Sequence, residues 1–442
     1  MVPEQLFCVA GNTYDALVIG CGPGGSSAAT FLARAGKRVL VLEKEVFPRF
    51  HIGESLLPCN MLIFEEMGVL PALQEAGFPR KYAAQFELGN GSISTRFVFR
   101  EGRFNRATEA IQVERALLDH VLLKHTRASG ADVREGWTVS RFDADAEGVS
   151  VEARDPAGKA YPFRGAFLID ASGRGNVTGN QENLREVHPQ WKKLAVFGHF
   201  ENVARDAGEA NTDTNNVRLE NKWFWIIPLS ATKTSVGIVF DKDEFTTSSG
   251  TPQEVFERWV ESTPPVRKRM KEARLVGAIQ TTSDFSYHNR RLAGHRLLRV
   301  GDAAGFMDPI FSAGVFLAMW SGKQAAEAVE KCLERGGPDA GLFAAYEKRV
   351  GRGLRFYWRV VKNYYTTPFM ELFLHPSHHC QLFSAVNAVL AGELEGGWRL
   401  RWRLEYFFLL VRIQRYFPLV PRISFDATGP REQDPCPSPE KT

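Results

Sequence analysis

One stretch constrains this chain more than any other. Tyr14-Asp15-Ala16-Leu17-Val18-Ile19 reads as a buried strand, runs directly into Gly20-Cys21-Gly22-Pro23-Gly24-Gly25, and opens an Ala-rich helix. Gly20, Gly22 and Gly25 complete the GxGxxG spacing. The first glycine permits a tight turn, the second lets a pyrophosphate approach the backbone, and the third lets helix and strand pack closely. The helix N-terminus adds N–H donors and a partial positive charge. Residues 38–42 form a second strand ending in Glu43, whose carboxylate suits ribose hydroxyls and would repel a 2′-phosphate. Strand, glycine turn, helix and acid in that order predict a Rossmann-type dinucleotide-binding unit.

The fingerprint alone does not separate FAD from NAD. Two later segments, Ile169-Asp170-Ala171-Ser172-Gly173-Arg174 and Leu298-Arg299-Val300-Gly301-Asp302-Ala303-Ala304, each end a strand on an acid-glycine turn. The second can set Asp302 against a ribityl chain and leads to a helix starting near Ser312-Ala313-Gly314, which favours FAD. Here the sequence resembles the flavoprotein monooxygenases and halogenases that share the p-hydroxybenzoate-hydroxylase-like fold. By that resemblance Gln112-Val113-Glu114-Arg115 contributes too, with Arg115 reaching the FAD.

Asn221-Lys222-Trp223-Phe224-Trp225-Ile226-Ile227-Pro228 contains WxWxIP. On a strand, Trp223 and Trp225 share one face. Phe306-Met307-Asp308-Pro309-Ile310-Phe311-Ser312-Ala313-Gly314 matches FxxPxxSxG at all four positions. Together the two segments resemble the signatures of the flavin-dependent halogenases. The loop Phe47-Pro48-Arg49-Phe50-His51-Ile52-Gly53-Glu54-Ser55 is similar to one found in these halogenases and in their reductase relatives. Gly77-Phe78-Pro79-Arg80-Lys81-Tyr82-Ala83-Ala84-Gln85-Phe86 matches the segment carrying the family's lysine, at Lys81.

The resemblance implies an FAD-dependent halogenase using FADH2, O2 and chloride or bromide. Hypohalous acid would be guided to Lys81 and halogenate an electron-rich aromatic. Lys81, Trp223, Trp225 and Ser312 would be catalytic, and the N–H groups of Ala313 and Gly314 would hold the halide ion. Gly20, Gly22, Gly25, Glu43, Arg115, Asp302 and Gly314 would bind FAD. Burial would depress the Lys81 pKa and make its amine available, and the tryptophans would wall a channel between flavin and Lys81. Free-tryptophan members carry a carboxylate where Phe311 stands, which points to phenol or pyrrole substrates, some tethered to an acyl carrier protein. FADH2 would come from a separate flavin reductase, because no second nucleotide fingerprint is present. A flavin monooxygenase inserting oxygen and a flavin-dependent prenyl reductase are the alternatives.

The expected architecture is mixed α/β. A discontinuous FAD-binding domain (14–80, 111–180 and 290–340) interleaves with a strand-rich substrate domain (81–110 and 181–289). A helical C-terminal cap (341–425) and a disordered tail (426–442) follow, and residues 1–13 read as a frayed leader. The pattern predicts helices near 61–67, 115–127, 252–274 and 314–335. It predicts strands near 149–153, 166–170, 223–228, 234–240 and 297–300.

A formal charge of +4 across 442 residues is too small to argue for nucleic acid. No run of 18 apolar residues marks a transmembrane segment, no signal peptide is read, and cytoplasmic location is expected. The cysteines Cys8, Cys21, Cys59, Cys332, Cys380 and Cys436 are scattered, which argues against disulfides or zinc. His375, His378 and His379 lack Cys or acid at ligand spacing, so no metal site is expected. Residues 355–420 interleave aromatics such as Trp398, Trp402 and Tyr406 with arginines such as Arg399, Arg401 and Arg403. That pattern suits a cap over the substrate, a dock for an acidic carrier protein, or an amphipathic membrane-surface helix.

Overall fold

The computed structural model describes residues 14–188, 191–283 and 286–425. The expected leader and tail, with Cys8 and Cys436, lie outside the described residues. Two sheets organise the rest. In the first, the strand Tyr14–Ile19 lies between Val39–Glu43 and Ala160–Asp170, parallel to both. Leu297–Arg299 adds in parallel beyond Ala160–Asp170, and Asp132–Glu135 beyond Val39–Glu43. Their Val, Ile and Leu side chains are buried on both faces, as helix-covered parallel strands require. The C-termini of these five parallel strands therefore point to one edge, where open α/β sheets bind ligands.

The glycine turn divides the steric work between its members. Gly20 sits at φ +91, and a Cβ there would lie 2.6 Å from the Ala171 carbonyl oxygen. A Cβ on Gly25 would lie 2.0 Å from the Gly20 oxygen. At Gly22 the nearest atom would be an Arg49 side-chain nitrogen at 3.7 Å, so that position faces open space. The helix Pro23–Arg34 that follows packs on Gly314–Glu334, with Gly322 against the Gly24 oxygen.

The second sheet has seven strands, in the order Arg274–Ser283, Lys193–Glu201, Lys233–Asp241, Trp223–Pro228, Thr214–Arg218, Ala83–Leu88 and Ser94–Val98. Trp225 sits opposite Gly237 on one side and Asn216 on the other. This face, bearing Trp223, Trp225, Ile227, Phe197 and Phe86, turns into the main core. The opposite face, with Phe224, Ile226 and Ile238, is covered by Val255 and Phe256. Lys81 lies apart, in a short ribbon pairing Arg80–Lys81 with Ala110–Ile111.

Element positions depart from expectation where proline intervenes. The span 252–274 is two helices, Pro252–Ser262 and Pro264–Met270, because Pro264 and Pro265 interrupt the first. The helix expected at 61–67 starts at Pro58 and is followed by Leu70–Glu75. The C-terminal region contains Ala340–Tyr364, Thr367–Leu374, Leu382–Ala391 and Gly397–Tyr416. The last of these buries Leu400, Leu404, Phe407 and Val411 and exposes Trp398 and Tyr416, each 72% accessible. Among the described residues, no helix is long and apolar enough to cross a membrane. No group of three or more His, Cys, Asp or Glu is placed to hold a metal there.

Gly25→Ala should lower stability by about 1–3 kcal/mol, the scale of overpacking against backbone. Gly22→Ala should stay within about 0.5 kcal/mol of the parent while weakening FAD binding. Thermal unfolding alongside flavin titration checks both.

Candidate active site

A long cleft runs between the sheets from the glycine turn to the tryptophan strand. Gly20, Gly22, Glu43, Arg115, Asp302, Ser312 and Gly314 line one stretch, and Ser55, Thr214, Asn216, Trp223 and Trp225 line the other. Gly25 and Ala313 are not on its wall. Gly25 packs beneath the turn, and Ala313 is the N-cap of the Gly314–Glu334 helix.

Glu43 is buried at the end of its strand. Its Oε2 accepts the Cys21 N–H at 2.6 Å and its Oε1 the Glu45 N–H at 2.9 Å, which fixes the carboxylate beside the glycine loop. Arg115 is buried too. It grips Asp119 with Nε and Nη2, both at 2.9 Å, and donates to the Ile52 carbonyl at 2.8 Å. Helix and 47–55 loop are thereby tied together at the cleft edge. Asp302 stands on the turn after Leu297–Arg299, and burial pushes its carboxyl up to about 6, with Arg174 and Arg115 working against that shift. A desolvated acid facing a cleft is suited to ligand hydroxyls. An open Gly22, a fixed Glu43 and a helix N-terminus together fit the adenosine and pyrophosphate of FAD.

Ser312 adopts a left-handed conformation, φ 54 and ψ 23, immediately before the long helix. Asp308, two residues past the Gly305–Phe306 strand, accepts the Ile310 N–H at 3.1 Å and the Tyr365 hydroxyl at 2.7 Å. Tyr365 in turn accepts the Trp223 Nε1 proton at 3.0 Å. Trp225 Nε1 donates to Ser235 Oγ at 3.0 Å. The two indoles lie 5.9 Å apart by ring centroid. A Cβ on Gly237 would fall 2.3 Å from the Trp225 ring, so only glycine seats that indole. Phe311 is buried and meets Tyr364 edge-on at 5.4 Å.

Lys81 is 2% exposed. Its Nζ donates to Ser55 Oγ at 2.9 Å and to the Leu56 carbonyl at 3.1 Å, and lies 5.5 Å from the Phe99 ring centroid. Burial pulls its pKa from 10.5 down to about 7, with Asp213 opposing weakly. Arg80 is instead exposed and ion-paired with Glu109. The expected channel ending on Lys81 differs in one respect: the cleft wall is formed by Ser55 and Thr214, and Lys81 sits behind Ser55.

Several cleft groups escaped sequence reasoning. Thr214-Asn215-Asn216, inside the expected strand-rich region 181–289 but carrying no motif, is a buried strand. His199 Nε2 lies 2.6 Å from Glu54 Oε1 beneath the 47–55 loop. Arg174, bonded to Thr282 at 2.8 Å, lines the cleft from the first acid-glycine turn. His375, His378 and His379 do not converge: His375 bonds the Glu371 carbonyl and His378 packs on Phe383.

A family profile described as an FAD binding domain matches residues 13–363. A 1H-pyrrole-2-carbonyl-(peptidyl-carrier protein) chlorinase of Pseudomonas fluorescens is 30% identical over 376 residues, covering 80% of this chain and 84% of that protein. The chain belongs to the flavin-dependent halogenases. A 1H-pyrrole-2-carbonyl-(peptidyl-carrier protein) brominase of Pseudoalteromonas luteoviolacea is 32% identical over 329 residues, covering 73% of this halogenase and 79% of its relative. The solved flavin-dependent brominase Bmp2 superposes with a TM-score of 0.81 at 28% identity, over 91% of this chain and all of that one. FAD is the cofactor of this family, and the cleft has the groups to hold it.

Two outcomes follow for this halogenase. Glu43→Ala should weaken FAD binding by about 1–3 kcal/mol, measured by flavin titration. Lys81→Met should raise Tm, most at pH 6. Between about pH 7 and 10.5 the unfolded chain holds a proton that folded Lys81 has lost. Stability from this group therefore rises with pH across that window, and its full cost falls below pH 7. Replacing a buried ion with an apolar isostere gains about 1–4 kcal/mol, so the Tm increase should shrink at pH 9.

Proposed function

We propose that this halogenase acts on an electron-rich pyrrole or phenol tethered to a carrier protein, and that Lys81 hands the oxidised halogen to the ring. The observation that carries the reading is a buried amine with its pKa near 7, one hydroxyl behind a cleft walled by two tryptophans. When bound, reduced FAD with O2 and halide supplies hypohalous acid, the reduced flavin arriving from a separate reductase.

The chain's own groups divide the remaining work. The N–H groups of Gly314, on the cleft wall, and of the N-cap Ala313 beside it hold the halide with backbone dipole rather than acid. The left-handed Ser312 sets that turn. Trp223 and Trp225 keep the aromatic substrate off the flavin, so only a small oxidised halogen passes. At Lys81 the ammonium donates a hydrogen bond to hypohalous acid. The neutral amine exchanges N–H for N–halogen with release of water, and the ring then takes the halogen. Both protonation states are populated near pH 7, which an exposed lysine could not offer. The apolar Phe311 provides no acid to direct a free indole, whereas pyrroles and phenols direct substitution through their own ring electrons. Two relatives named for carrier-bound pyrrole support the tethered form.

Lys81→Ala, assayed with a reductase and carrier-bound pyrrole and phenol panels, should lose halogenation by about 100-fold or more while flavin oxidation continues. Undiminished halogenation would overturn the lysine role. Wild-type enzyme that halogenates only untethered substrates would overturn the carrier assignment.

A further inference from the structure

The hydroxyls in front of Lys81 form a continuous hydrogen-bonded chain. Ser55 Oγ receives the Lys81 ammonium at 2.9 Å and lies 2.8 Å from Thr214 Oγ1. Gln112 Nε2 donates to Thr214 Oγ1 at 2.8 Å and to the Thr212 carbonyl at 3.1 Å. The second bond fixes the amide orientation, since turning Gln112 over would set two acceptor oxygens face to face. A hydroxyl has one proton to give and two lone pairs. Ser55 accepts from Lys81, and either hydroxyl of the Ser55–Thr214 pair can be the donor. In the outward arrangement Ser55 donates to Thr214, which accepts from Gln112 as well and has its own proton left for the cleft it lines.

Other exits are closed. Phe99 lies on one side of Nζ and the Leu56 carbonyl takes a second proton without passing it on. Asp213, the carboxylate nearest in effect, is occupied by the Ala83 N–H at 3.0 Å and Arg96 Nε at 2.6 Å. Glu54 Oε1 is engaged by His199, and its buried, unpartnered Oε2 makes no hydrogen bond to Lys81 or Ser55. Ser55 and Thr214 are both almost fully buried, so bulk water does not bathe the amine.

We propose that Ser55 and Thr214 are a proton relay joining Lys81 to the cleft, with Gln112 donating to its outer hydroxyl. They act through Lys81 and are not themselves catalytic. In the outward step one Lys81 N–H bond breaks as Ser55 gains a proton, Ser55 passes its own to Thr214, and Thr214 releases its own to water or hydroxide in the cleft. Both hydroxyls end re-oriented and unchanged in composition, and Lys81 ends as the amine. The chemistry requires such an exit. The amine route opens only after the Lys81 ammonium has lost one proton, and carrying that proton out through side chains keeps water from the oxidised halogen. The relay rests on the Lys81 assignment proposed above.

Thr214→Val keeps the side-chain shape and removes the hydroxyl, and Thr214→Ser restores it. In substrate-free protein labelled with 15N-lysine, with the Lys81 signal identified by its loss in Lys81→Arg, exchange of the ammonium protons with water is measured near pH 6. Thr214→Val should slow exchange about tenfold or more, and Thr214→Ser should return it towards wild type. With pyrrole and phenol panels, Thr214→Val should lower halogenation on the same scale, with FAD affinity and flavin oxidation unchanged. Wild-type exchange in Thr214→Val, or equal slowing in Thr214→Ser, would overturn the relay. Wild-type halogenation by Lys81→Ala would instead remove the lysine role while leaving the exchange result standing, so the two failures are separable.

Discussion

Desolvation of a single amine is the constraint on which the chemistry proposed for this enzyme depends. A lysine held behind Ser55 and beside Phe99 pays the cost of burial with no carboxylate bonded to its nitrogen. Its proton becomes labile near neutral pH for that reason. A surface lysine would be more comfortable and chemically inert. The two-stranded ribbon that carries Lys81 belongs to neither large sheet, which lets the amine be inserted between them without displacing a core strand.

The two sheets answer different demands. The parallel sheet brings Glu43, the glycine turn and Asp302 to one edge because every parallel strand ends there. In the seven-stranded sheet, antiparallel pairing of Trp223–Pro228 with Lys233–Asp241 sets Trp223 and Trp225 on a single face. Gly237 makes room for one indole, while Tyr365 and Asp308 hold the other through a hydrogen-bond chain. That chain links three segments: the tryptophan strand, the turn before the long helix, and the end of the Ala340–Tyr364 helix. The C-terminal helices thus reach the site from behind the tryptophans, and the flavin stretch of the cleft is lined without them.

Local signals in the sequence were legible because their geometry is local. The strand, glycine turn and acid around residues 14–43 announced the Rossmann unit, and the two-residue spacing of Trp223 and Trp225 put both on one face. Interactions spanning long separations were not legible. Ser55 meets Thr214 across 159 positions and Trp223 meets Tyr365 across 142. Nothing in Thr214-Asn215-Asn216 distinguishes a buried polar strand from a loop until neighbouring strands cover it. The broken helix at Pro264 is a different kind of miss: the charge pattern continued past prolines that end a helix.

The most direct test of a walled flavin and a buried amine is what the product contains. The wild-type enzyme is supplied with reduced flavin, 18O2, bromide or chloride, and carrier-bound pyrrole or phenol, and the product is read by mass spectrometry. Separation of flavin from substrate predicts halogen in place of ring hydrogen and no 18O on the ring. A hydroxylated product carrying 18O, formed whether or not halide is present, would mean that substrate reaches the flavin directly and would contradict it.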